Sequence, residues 1–94
     1  MVRQRVVLGS IGDSERARMV ATRLRDEGQE VVYVGGEQSP EQLVRALIAE
    51  DAAGIVVDGD AESLARIAEL CAELGVPDVV VTPLDGRPDA PRSP

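Results

Sequence analysis

Four short runs of branched aliphatic residues recur along the chain without the alternation expected of a strand that has one wet face. They are Arg5-Val6-Val7-Leu8, Glu30-Val31-Val32-Tyr33-Val34, Gly54-Ile55-Val56-Val57 and Val79-Val80-Val81. Continuous runs of this kind mark the strands of a parallel sheet covered on both faces. The segments between them repeat apolar residues at helical spacing. Ala17, Val20, Ala21 and Leu24 predict a helix from about Asp13 to Glu27, ended by Gly28 in a left-handed cap. Ser39-Pro40-Glu41-Gln42 reads as a capping box with proline in the first turn, and it opens a second helix to about Glu50 with Leu43, Val44, Leu47 and Ile48 inward. Leu64, Ile67, Ala68, Cys71 and Leu74 predict a third, from about Ala61 to Leu74, ended by Gly75. Strand–helix alternation with short loops gives an α/β fold with right-handed crossovers. The simplest arrangement is a flavodoxin-like, doubly wound parallel sheet of four strands in the order 2-1-3-4 with three helices.

The chain has 94 residues, enough for one domain. The reading places that domain at residues 1–82 and takes the proline-rich segment 83–94 as a disordered tail. Tyr33 is the only aromatic residue, so the core is built from Val, Leu, Ile and Ala, and no stacking platform exists for single-stranded nucleic acid. A formal net charge of −7 also argues against a nucleic-acid partner. The charge is uneven. Residues 1–25 hold six of the ten arginines against Asp13 and Glu15, and the remainder is strongly acidic. Such a distribution would allow electrostatic complementarity between copies, and it equally fits ordinary solvated helix faces. No apolar run is long enough to span a membrane. The lone Cys71 suits a reducing compartment, and no leader is visible before the first strand, so the expected location is the cytoplasm.

Several stretches carry a resemblance to a family. They are Val6-Val7-Leu8-Gly9 through Gly12, Val20 through Gly28, Glu30 through Gly35, Gln38 through Val44, and Glu50-Asp51-Ala52. Across residues 5–58 the chain resembles the cobalamin (B12)-binding domain of the methylmalonyl-CoA mutase family. The resemblance implies the fold. In that family the loop after the first strand carries Asp-x-His-x-x-Gly, and its His ligates cobalt. Here Ile11, Asp13 and Arg16 stand at those three positions, and the chain contains no His at all. A carboxylate replaces imidazole poorly on cobalt. The family's segment after the third strand has become Asp58-Gly59-Asp60, and Thr82-Pro83-Leu84 stands where a Gly-Gly turn follows the fourth. The resemblance thus implies a degenerate, truncated scaffold with no cofactor.

Ligands of doubly wound folds bind beyond the carboxyl ends of the strands, where the strand order reverses. Ser10, Gly12, Asp13, Asp58 and Asp60 would line that crevice. The three aspartates could hold Mg²⁺ and resemble the acidic pocket of two-component receiver domains. Those domains need a Lys, and this chain has none. Asp13 and Asp60 also suit helix N-capping. Gly9-Ser10-Ile11-Gly12 could offer backbone N–H groups to a phosphate, but it completes no nucleotide motif, and Asp13 and Glu15 would repel the anion. Cys71 lies on an apolar stripe and reads as core. Without His or Lys no catalytic or metal constellation assembles, so the chain is not expected to be an enzyme on its own.

Two functions follow. The first is a non-catalytic interaction or assembly module. The alternative is a small-molecule or cofactor-binding module using the crevice, either by residual cobalamin binding or as the small subunit of an adenosylcobalamin-dependent mutase. A single helix is expected to cover one sheet face, which leaves apolar surface over the last two strands. Ile55, Val57, Val79, Val80 and Val81, together with Met19 on the first helix, are the candidate interface residues. The expected partner is a second copy in a homo-dimer, or a larger protein; nucleic acid and membrane are not expected partners.

Overall fold

Each apolar run becomes a strand and each periodic segment a helix. The computed structural model describes residues 4–84. The strands are β1 (Arg5–Ser10), β2 (Glu30–Gly35), β3 (Gly54–Asp58) and β4 (Val80–Pro83). They are all parallel, in the order β2-β1-β3-β4. The helices are α1 (Glu15–Asp26), α2 (Pro40–Ala49) and α3 (Ala61–Glu73). The expected order and fold class are those found.

All three helices stop in the same way. A residue with positive φ follows each one: Gly28 at 96°, Asp51 at 53° and Gly75 at 83°. The next N–H then reaches back to the last full turn, from Gln29 to Leu24 O, from Ala52 to Leu47 O and from Val76 to Cys71 O. This Schellman pattern consumes carbonyls that a helix end otherwise leaves unpaired. At the other end of α2, the Ser39 side chain accepts from Gln42 N and the Gln42 side chain accepts from Ser39 N, the reciprocal capping box that the sequence predicts.

Side chains alternate across the sheet and divide the interior in two. Val7, Ile55 and Val57 pack on one face against Leu43, Val44, Leu47, Ile67, Leu70 and Cys71 of α2 and α3. Leu8 and Val31 pack on the other against Ala17 and Ala21 of α1 and against Leu84. That alternation corrects the expected interface. Ile55 and Val57 are fully buried under α2 and α3, and Val79 and Val81 are half-buried on the same side. Val80 turns the other way and is 64% exposed. On α3, Leu70 takes the core position, while Ala68 and Leu74 are exposed, because α3 is rotated on the sheet relative to the expected stripe.

Three boundaries also move. α1 begins at Glu15, after Asp13 and Ser14, because Asp13 belongs to the turn. β4 starts one residue later than expected and ends two later, at Pro83. Leu84, expected in the tail, is 5% exposed and donates its N–H to Val57 O. The remainder of the expected tail, 85–94, lies outside the described residues.

β4 is not the open edge that its apolar sequence suggests. Val80 N bonds to Ala53 O and Leu84 N to Val57 O, so the even-numbered residues of β4 address β3. The outward positions are Val79, Val81 and Pro83. Val79 N is taken by Val76 O, and proline has no N–H. Among the described residues Val81 alone offers a donor to an approaching strand, so this edge is poor in donors. At the opposite edge the Arg25 guanidinium donates to Val31 O of β2 at 3.1 Å.

Gly9 brings α2 onto the sheet at close range. A Cβ there would lie 2.7 Å from both Leu43 Cδ2 and Val34 Cγ2. Gly9→Ala is expected to cost about 1–3 kcal/mol by overpacking. The measurement is a urea unfolding curve with a lower midpoint and an unchanged slope. An unshifted midpoint would show that α2 can step back freely.

Candidate functional site

The carboxyl ends of β1 and β3 meet where the strand order reverses, and the expected crevice residues gather there. Their polar groups are turned on one another. Ser10 is 1% exposed; its hydroxyl donates to Asp13 O at 2.7 Å and accepts from Gly12 N at 3.2 Å. Ile11 N donates to Asp58 O at 3.0 Å. The Ile11 side chain covers Gly59 so closely that a Cβ on Gly59 would meet its Cγ1 at 2.8 Å. The loop after β1 therefore lies over the end of β3.

The loop after β2 closes the other side. Glu37 N donates to Gly12 O at 2.8 Å and Gln38 N to Ser10 O at 3.0 Å. Gly36 lies against the same turn, where a Cβ would sit 2.7 Å from Gly12 O. The Tyr33 hydroxyl donates to Ser14 O at 3.3 Å. These two loops are sewn together chiefly through main-chain groups. Side-chain motifs give no sign of such bonds, which is why sequence reasoning missed Glu37 and Gln38. The Gly35-Gly36 pair was the available signal.

The three aspartates do separate work. Asp13 Oδ2 accepts from Glu15 N at 3.2 Å and supports the exposed start of α1. Asp58 faces the Arg16 guanidinium at 3.5 Å. Asp60 caps α3 by accepting from Ser63 N at 2.8 Å. That bond holds the Asp60 carboxyl below its ordinary range. Among the described residues, no three acidic, Cys or His side chains converge as a metal-binding group. Cys71 is buried against the sheet, and burial pushes its thiol pKa up. No described helix is long and apolar enough to cross a membrane.

Two apolar grooves lie away from the strand ends. One, of about 320 Å³, runs between α1 and β4 and is lined by Val20, Arg23, Leu24, Val56 and Val80. The other, of about 330 Å³, follows the seam of α2 and α3 and is lined by Glu41, Val44, Arg45, Ile48, Leu70 and Leu74. The first occupies the face that the sequence leaves with one helix. The second escaped notice because Ile48 and Leu74 fit the inward stripes of their helices.

No protein-family model matches the chain, and no curated protein matches it. A solved structure does. It is a cobalamin-binding protein from Desulfitobacterium hafniense DCB-2, with a TM-score of 0.72 at 15% sequence identity, over 86% of this chain and 44% of that one. The two share a fold. The fold implied by the sequence resemblance is thus present, and the chain spans less than half the length of that protein.

Two measurements follow from this site. Asp60 has a depressed pKa in the folded state, so its cap contributes stability above the ordinary carboxylate value of 3.8 and loses it as pH falls through the folded value. Wild type should melt above Asp60→Ala at neutral pH, and the gap should close on acidification; a gap independent of pH would contradict an ionic cap. Cys71 should resist a thiol reagent such as dithionitrobenzoate in the native protein and react fully in denaturant. Rapid native labelling would show that α3 opens locally.

Proposed function

We propose that the chain is a non-catalytic assembly module built on a cobalamin-binding-type scaffold, and that it does not itself hold cobalamin. One observation carries the proposal: the loops at the strand ends spend their polar groups on each other. Asp13, at the position where the resembled family places its cobalt-ligating imidazole, supports a helix N–H instead. Ile11 covers Gly59, and Asp58 answers Arg16. These residues do not fit a cobalt ligand set. With no His or Lys in the chain, acid–base chemistry at the strand ends would fall to carboxylates, and Asp13, Asp58 and Asp60 there are engaged with Glu15 N, Arg16 and Ser63 N. Large apolar side chains stand exposed instead, as expected of a surface that binds protein.

The likeness to a cobalamin-binding protein favours a second reading, in which cobalamin docks without a protein ligand to cobalt. Titration with hydroxocobalamin and adenosylcobalamin separates the two. The visible spectrum of the cofactor should stay that of the free compound, and the melting temperature should not rise. A saturable spectral shift or stabilisation would select the second reading. Light scattering on the native protein should give a mass well above the 10.0 kDa of one chain. A soluble, cooperatively folded monomer at high concentration would overturn the assembly role.

A further inference from the structure

The two edges of the sheet are defended differently. β4 offers few donors, because Val79 N is engaged and Pro83 has no N–H. β2 forms the other edge and contains no proline. Its one charged residue, Glu30, is turned back onto Arg5 at 3.0 Å. The rest of the strand is Val31-Val32-Tyr33-Val34-Gly35, a β-branched and aromatic run of the kind that pairs readily with further strands.

The main chain of β2 presents a definite pattern. Ser10 O and Gly12 O accept from the loop after β2, whereas Arg5 O accepts from Ala53 N and Ile11 N donates to Asp58 O, both on the β3 side. The even-numbered residues of β1 therefore address β2. Val6 lies opposite Val31 and Leu8 opposite Tyr33. In a parallel pair, a residue that addresses its neighbour bonds to the residues flanking its opposite number. The N–H and C=O groups of Val31 and Tyr33 are thus left pointing out of the sheet. Arg25 Nη2 donates to one of these groups, Val31 O, at 3.1 Å.

A second copy could meet all of these outward groups. With a two-fold axis through Val32, antiparallel strands would set Val31 of one copy opposite Tyr33 of the other, each such pair exchanging two hydrogen bonds. Arg25 already occupies one acceptor of each pair and holds a charge in the path of the incoming strand. Arg5 meets two carboxylates and Arg66 three. Among the described residues Arg25 meets none, in a chain with 17 acidic residues, and its guanidinium goes to a main-chain carbonyl instead.

We infer that Arg25 guards the β2 edge: its guanidinium on Val31 O keeps that strand from pairing with β2 of a second copy. The guard closes an edge, whichever face carries assembly, so it stands apart from the proposed function. Arg25 also sits in the last turn of α1, where a cation is favourable. A residue that served the helix alone would leave association unchanged when replaced.

Four substitutions separate these roles. Arg25→Ala removes the guard, and Arg25→Met removes it while keeping an aliphatic stem. Arg25→Lys keeps a cationic donor at the position. Arg18→Ala takes the same charge from the same helix and leaves Val31 O covered. Both positions are exposed, so every variant should keep the wild-type circular dichroism. Light scattering on Arg25→Ala and Arg25→Met should give double the wild-type mass at equal concentration. Hydrogen exchange at the Val31 and Tyr33 amides of these two should slow by about tenfold or more as concentration rises. Arg25→Lys and Arg18→Ala should match wild type in both readouts. Unchanged mass and exchange in Arg25→Ala and Arg25→Met would overturn the inference. Equal association in Arg18→Ala would trace the effect to net charge and overturn it too. Val31 and Tyr33 amides already protected in wild type would show a paired edge with nothing to guard.

Discussion

A sheet of parallel strands that are apolar on both sides must be covered on both sides. Four strands and three helices meet that demand unequally. α2 and α3 lie together over one face and seal Val7, Ile55 and Val57 completely. Among the described residues α1 is the one helix on the other face, and Leu84 fills part of the remaining width. The groove beside Val80, its exposure and the placement of the charged helix all follow from that imbalance. The exposed apolar surface is therefore a product of topology, and no single substitution creates it.

The architecture was legible because several independent signals agreed. The strand runs, the three apolar stripes, the Ser39 capping box and the glycines at 28 and 75 all specified the same order of elements. What could not be read was orientation. A strand apolar on both faces gives no clue to which residues point where, and Ile55, Val57, Val79 and Val81 face α2 and α3 while Val80 is exposed on the other side. On α3, Leu70 and Ala68 lie about 200° apart, and the apolar residues on both sides of Ile67 and Cys71 leave the facing side open in the sequence. Leu84 was lost to the tail because prolines around it dominate the composition, and its burial depends on a hydrogen bond to Val57 O across the sheet.

The candidate site was half legible. The aspartates at the strand ends were found by position, and the capping role of Asp60 followed from its place before α3. The closure of the crevice was invisible, since it rests on backbone bonds from Glu37 and Gln38 to Gly12 and Ser10. An apolar Ile11 where the resembled family has a charged residue was the hint that this loop now packs on the protein.

The near absence of aromatic residues has a practical side. Tyr33 stands at the end of β2 with its hydroxyl on Ser14 O, at the place where the strand-end loops close. The interior itself is aliphatic and silent in the near ultraviolet. Tyrosine fluorescence or near-ultraviolet dichroism on this protein reports the docking of the α1 amino terminus against β2. Loosening of the core beneath α2 and α3 would pass unseen by that probe, and methyl resonances of Val, Leu and Ile are the signals that register it.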